Sequence, residues 1–260
     1  MNARLLALLA IFLIACTATP TDSRAAAITY TFTVSGCDPL FTPTETGGTC
    51  ATGTIDGTSF SISRFNSSTL TFTYTGDTAN ILPWSLDAGT VSGYELLGGV
   101  ATVSLFDSNG ALLVTDTFTA ADQMFVDIHN QAYGIGLGSG GAAPSDPSFP
   151  GDPSYPVGFY NSALTTYNMA TSIGPLVGSA NNCSGPDFPS SCLATAPSLA
   201  LTSGGSFLFN TPYPIPYGDF SGTFSAAVAA STVPEPGTLG LVGIALAGAA
   251  AAVRRRQHKR

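Results

Sequence analysis

Chemistry in this chain would have to come from very few side chains. His129 is the one histidine before the C-terminal tail, and it stands in Asp127-Ile128-His129-Asn130. A Ser/His/Asp triad would have to run through it. Asp127 lies two residues away and so on the same strand face, which is not by itself a relay geometry. A surface or edge-strand histidine is the simpler reading. No HExxH, Walker loop or GxSxG is present, and histidine-rich metal sites are excluded by count. Gly136 to Gly141 spells GxGxxG but runs toward Pro144 with no helix to hold a pyrophosphate, so a flexible loop is expected there. Carboxylate pairs could hydrolyse glycosides without histidine. Fourteen acidic residues lie between Ile28 and Thr232, but no motif singles out two of them. Asp146 with Asp152, or Asp107 with Asn109, could offer oxygen ligands to Ca²⁺, without the DxDxDG spacing of a dedicated loop. The expectation is no catalytic residue, no cofactor and no resident metal.

Cysteines are the next reactive set. Besides Cys16 there are four: Cys37, Cys50, Cys183 and Cys192. An even number in an exported chain reads as disulfides, and three connectivities are possible. Local pairing, Cys37–Cys50 and Cys183–Cys192, is preferred. A zinc site using all four thiolates is the rival, but no CxxC supports it. Cys37 linked to Cys183 would overturn the local pairing.

The elements that carry these residues are read as strands. Ile28, Tyr30, Phe32 and Val34 alternate with Thr and Ser, as do Leu70, Phe72 and Tyr74, and Val103 and Leu105. Met124, Val126 and Ile128 alternate less cleanly, because Phe125 falls on the other face. Apolar-in, hydroxyl-out alternation marks antiparallel strands with one wet face. Asp107-Ser108-Asn109-Gly110 predicts a hairpin joining Val100–Phe106 to Ala111–Phe118, and Asp56-Gly57 predicts another. The fold expected for residues 28–231 is an all-β antiparallel sandwich of roughly ten to twelve strands, jelly-roll-like or Ig-like. Pro144, Pro147, Pro150, Pro153 and Pro156 recur every third residue and are read as a long surface loop, with polyproline II as the alternative. Trp84, Tyr155, Phe159, Tyr160, Tyr213 and Tyr217 lie in or near expected loops. If exposed they could stack on sugars in a lectin-like site; if buried they are core.

Composition narrows the setting. Hydrophobic residues make up 44% and charged residues 9%, which excludes both a highly charged disordered chain and a coiled coil. Between Ile28 and Thr232 there is one basic residue, Arg64, against the fourteen acidic ones. Such a surface repels phosphate backbones, so no nucleic-acid partner is expected.

The ends are addresses. Arg4, the eleven-residue apolar run Leu5–Ala15 and the Ala25-Ala26-Ala27 triplet form a secretory signal peptide over residues 1–27. Cleavage after Ala27, by an enzyme that reads small residues at Ala25 and Ala27, leaves Ile28 first. Leu13-Ile14-Ala15-Cys16 resembles a bacterial lipobox and offers a lipidated alternative. At the other end stand Val233-Pro234-Glu235-Pro236-Gly237, the uncharged run Leu239–Val253, and Arg254-Arg255-Arg256, with a basic tail to residue 260. The prolines favour extended backbone that a processing enzyme can grip. The run of fifteen residues is marginal for a transmembrane helix, and the arginines hold the cytoplasmic side as a stop-transfer cluster. This tripartite tail, over 232–256, resembles the PEP-CTERM sorting domain. The resemblance implies recognition of Val233–Gly237 by exosortase, a membrane cysteine protease/transpeptidase of Gram-negative bacteria that make exopolysaccharide. It implies export across the inner membrane, transient anchoring, and a final place at the cell surface or in the extracellular matrix or biofilm. A plain C-terminal anchor is the simpler alternative. The expected function is a non-catalytic surface or matrix protein near exopolysaccharide. The alternatives are a lectin-like glycan-binding module and a secreted glycoside hydrolase.

Overall fold

The computed structural model describes residues 25–37, 48–63, 67–86, 91–119, 125–130, 133–139, 154–184, 198–210 and 220–230. Where Thr or Ser separates large apolar residues, the chain is a strand with one dry face. In β1 (Ala27–Cys37), Ile28, Tyr30, Phe32 and Val34 are buried. In β4 (Thr69–Asp77) and β7 (Val100–Phe106), Leu70, Phe72, Tyr74, Ala101, Val103 and Leu105 are buried likewise. The hydroxyl residues between them point the other way.

The predicted turns form. Asp56 and Gly57 sit at φ 48° and 81° between β2 (Thr49–Ile55) and β3 (Thr58–Ser63). Two positive φ values in a two-residue loop match the right-handed twist of the strands it joins. In the second hairpin β7 leads to β8 (Leu112–Thr117), and of Asn109 and Gly110 only Gly110 has a positive φ, 81°. Asp107 Oδ1 closes that turn by accepting from the amides of Asn109 and Ala111, both at 2.8 Å.

The remaining strands are β5 (Ile81–Leu86), β6 (Val91–Leu96), β9 (Phe125–His129), β10 (Gly134–Ser139), β11 (Ser154–Tyr160), β12 (Ile173–Ser184), β13 (Ser198–Leu201), β14 (Ser206–Asn210) and β15 (Phe220–Val228). Fifteen strands among the described residues exceed the expected number. The surplus lies in stretches rich in glycine or interrupted by proline, where alternation is faint. The Gly136 region is the clearest difference. It is no flexible loop up to Ser139 but part of β10, an interior strand between β9 and β11. Pro156, the last of the five evenly spaced prolines, lies in β11. The other four, the Tyr213–Tyr217 segment and both terminal segments fall outside the described residues. Among the described residues no helix is long and apolar enough to cross a membrane.

The strands form two antiparallel sheets. One has eleven strands in the order β5-β6-β9-β10-β11-β12-β15-β1-β4-β7-β8, the other four in the order β13-β14-β2-β3. The compact unit they build runs from Ala25 to Ala229. Pro83 fits its place, since β5 is an edge strand and an edge position tolerates a missing N–H. The long sheet bends back on itself. Tyr74 on β4 donates its hydroxyl to the Leu96 carbonyl on β6 at 2.9 Å, although six strands separate the two in the sheet. Tyr30 on β1 donates to the Met169 carbonyl at 2.6 Å. Burial raises both phenols above their ordinary pKa, Tyr74 to about 12, so both stay protonated donors.

Aromatic rings fill the space between the layers. Phe72 meets Phe207 edge-on at 5.6 Å, Phe209 meets Phe220 at 5.5 Å, and Phe159 tilts against Phe224 at 5.7 Å. Edge-on and offset contacts of this kind stabilise beyond the area they bury.

Candidate functional site

Two carboxyl pairs stand out, and sequence reading nominated neither. The first joins Asp56 in the β2–β3 turn to Asp116 on β8, the edge strand of the long sheet. The turn between β13 and β14 wraps both. Thr202 Oγ1 donates to Asp56 Oδ1 at 2.5 Å. Asp116 accepts from the Ser203 hydroxyl, from the Gly204 amide at 2.5 Å and from the Thr117 amide at 2.6 Å. Asp116 and Thr202 are 8% and 5% exposed. Burial and a hydrogen bond to Asp116 raise the pKa of Asp56. Burial also pushes Asp116 up, but the bonds from Asp56, Ser203, Thr117 and Gly204 outweigh it and hold that carboxyl well below the usual range. Of the two, Asp56 therefore keeps its proton to higher pH than Asp116. The pair ties the four-stranded sheet to the edge of the long sheet. The backbone does so beside it, through a bridge between Phe118 and Thr202 and the bond from the Ser203 amide to the Thr117 carbonyl, 2.8 Å.

The second pair lies within the long sheet. Glu95 on β6 is directly opposite Asp127 on β9, and each is 1% exposed. Trp84 Nε1 donates to Asp127 Oδ1 at 2.7 Å. The indole fits because residue 93, opposite Trp84, is glycine. A Cβ there would run into the Ile128 carbonyl and lie 2.7 Å from the ring. Facing residues on adjacent antiparallel strands are about 5 Å apart at their Cα atoms and project to the same face, so the two carboxyls are neighbours. Their burial keeps a polymer away from both in this conformation.

His129 lies on β9, flanked by β6 and β10, so the edge-strand reading is corrected. Trp84 and Phe159 are 4% and 1% exposed and belong to strands β5 and β11. They are core residues, unable to stack on an external sugar. Tyr160 is half-buried in β11, where Tyr155 also lies. Asp107 serves its own hairpin, whose backbone amides hold its carboxyl below the usual range. Asp146 and Asp152 fall outside the described residues. Among the described residues no three His, Cys, Asp or Glu side chains converge to hold a metal ion.

The tail carries the one signal that reaches beyond this chain. Pro234-Glu235-Pro236, the uncharged run Leu239–Val253 and Arg254-Arg255-Arg256 follow one another there in sequence. Residues 232–256 match the PEP-CTERM protein-sorting motif. No curated protein and no solved structure matches the chain. The PEP-CTERM motif marks the protein as exported and sorted to the cell surface, with processing by exosortase. Val233 to Gly237 and Arg254 to Arg256 lie in that motif and outside the described residues.

Cys37, at the end of β1, and Cys50, in β2, form a disulfide that links the two sheets. Cys183 lies in β12, and Cys192 falls outside the described residues. Ala25 precedes β1 and Ala27 opens it. Ala26 exchanges hydrogen bonds with Thr78, its amide donating to Oγ1 at 3.0 Å and its carbonyl accepting from the Thr78 amide at 2.9 Å.

Proposed function

We propose that this is a non-catalytic protein of the cell surface or extracellular matrix, delivered by its tail and held near exopolysaccharide. The motif match over 232–256 carries the reading. In this view the signal peptide starts export, the Leu239–Val253 run arrests the chain in the membrane, and exosortase cuts near Pro234-Glu235-Pro236. The ectodomain then acts by what it touches. Two features support that half. The disulfide suits an oxidising compartment, and the facing carboxyls Glu95 and Asp127 are closed to substrate by burial. The surplus of acidic residues keeps the delivered domain soluble.

The test replaces Pro234, Glu235 and Pro236 with alanine in the native host. The variant should accumulate as an unprocessed, membrane-held form whose mass includes the arginine tail. Maturation at the wild-type rate and position would overturn the sorting half of the proposal.

A further inference from the structure

The outer face of the long sheet is an ordered field of hydroxyls. Five adjacent strands contribute one row, Ser225, Thr31, Thr73, Thr102 and Thr117, each opposite the next. A second row runs beside it, Thr223, Thr33, Thr71, Ser104 and Thr115. Neighbours in a row are about 4.8 Å apart, and the rows are separated by about 6.7 Å, two residues along a strand. None of the ten side chains is charged. An ordinary soluble surface mixes Lys, Arg, Glu and Asp at roughly a quarter to a third of its positions. None of the fourteen acidic residues between Ile28 and Thr232 falls in these two rows.

The hydroxyls are also prearranged. Thr73 and Thr102 bond across strands at 3.0 Å, Ser104 and Thr115 at 2.8 Å, and Thr29 and Thr75, just beyond the rows, at 3.0 Å. A hydroxyl has one donor and two acceptor positions, so each pair keeps one proton and several lone pairs for an outside partner. Threonine is stiff at χ1, so little side-chain freedom is lost when a partner settles. Exposed apolar residues flank the field. Val177, 75% exposed, stands opposite Thr223 on β12, and Leu113, 51% exposed, precedes Thr115 on the same face of β8.

We infer that this face is a docking surface for a neutral polysaccharide. A polyol chain offers alternating donors and acceptors to the hydroxyl rows and C–H faces to Val177 and Leu113. Charge selects the class. An anionic polymer is repelled by the acidic domain and finds no cation on this face, whereas a cationic one is drawn to carboxylates elsewhere. Each contact is weak, and binding comes from many of them along one chain. The inference rests on the proposed delivery of the domain to a polysaccharide-containing exterior.

The test is affinity electrophoresis of the full chain in detergent, through native gels containing hydroxyethylcellulose, galactomannan, dextran or alginate. At least one neutral polymer should retard the protein, and alginate should not. Replacing Thr31 and Thr73 with valine keeps the β-branched shape and removes two hydroxyls from one row. It should weaken retardation roughly tenfold, the loss expected from two ordinary hydrogen bonds. Replacing Thr52 and Thr54 on β2 with valine is the control and should leave retardation unchanged. Equal weakening by both variants, preference for alginate, or no retardation by any neutral polymer would overturn the inference. Should Thr31→Val/Thr73→Val fold poorly, a Val177→Ser/Leu113→Ser variant tests the flanks, with weaker retardation expected and unchanged retardation against the docking face. A protein that is processed normally yet ignores neutral polymers sinks this inference alone; one that binds them but matures without its Pro-Glu-Pro segment sinks the sorting reading alone.

Discussion

Apart from Asp107, whose own hairpin holds its carboxyl low, Asp56 and Asp116 are the only groups that titrate on β2, β3, β8, β13, β14 and their described turns, so above the ordinary carboxylate range their pair gives a readable pH dependence. The raised pKa of Asp56 means that its contribution is complete below the ordinary carboxylate range. It is lost as pH rises through the raised value. The depressed pKa of Asp116 works in the opposite sense. Its contribution is present above the ordinary range and is lost as pH falls toward the depressed value. The clasp is therefore strongest in mildly acidic solution and loosens when both carboxylates are charged. Thermal melts against pH should show stability falling on the alkaline side of the Asp56 titration, and Asp56→Asn, which keeps a donor toward Asp116, should flatten that limb. Identical profiles for the two proteins would contradict the raised pKa of Asp56. Asp116→Ala should cost about 1–3 kcal/mol, because it strands the amides of Thr117 and Gly204 and the Ser203 hydroxyl. Neither this pair nor Glu95 with Asp127 was legible in the sequence. Asp56 and Asp116 are sixty residues apart in the chain, and Glu95 meets Asp127 only through the pairing of β6 with β9. Asp56 was read only for its turn, which local chemistry does specify.

At the scale of elements, the disulfide between Cys37 and Cys50 ties the end of β1 in one sheet to β2 in the other. Its separation of 13 residues gives about 3 kcal/mol in the loop-entropy model. Replacing both cysteines with alanine should lower the melting temperature by roughly 6–12 °C for a domain of this size. A reductant should then have no further effect through this pair. An unchanged melting temperature would show that the bridge adds nothing to the fold. This local pairing was readable because the two cysteines are close in sequence and flank alternating strands. The strands themselves were readable where bulky residues alternate with Thr, as in β1, β4 and β7. They were not readable in β10, Gly-Ile-Gly-Leu-Gly-Ser, where one face has no side chains at all. There the pattern lacks half of its signal, and a flexible loop was expected instead of a strand. Trp84 was expected in or near a loop, its ring either exposed or in the core; it lies buried in β5, a strand that also admits Pro83. The edge position of the strand and Gly93 beneath the indole account for both.

For the whole molecule, the curvature of the long sheet decides what is inside. Bending brings β6 over β4, so that Leu96, Val126, Ile128, Ile135 and Leu137 join the same core as Tyr30, Phe32, Phe72 and Phe224. No sequence pattern announces such a bend, which arises from twist summed over eleven strands. The alternation does announce its product, a dry face and a hydroxyl face, and the absence of charge on the latter. The C-terminal sorting motif was the most legible part of all, because it is read locally by a processing machine and needs no tertiary contact to exist. The central claim is that the compact unit, from Ile28 to Ala229, is cargo delivered outside the cell by ends that do not share its fate. Intact mass measurement of the native protein, from wild-type cells and from cells lacking exosortase, tests this directly. The account predicts that the wild-type protein begins at Ile28 and ends near Pro234-Glu235-Pro236, and that the mutant cells keep the arginine tail. A full-length chain in the cytosol, with Cys37 and Cys50 as free thiols, would contradict it.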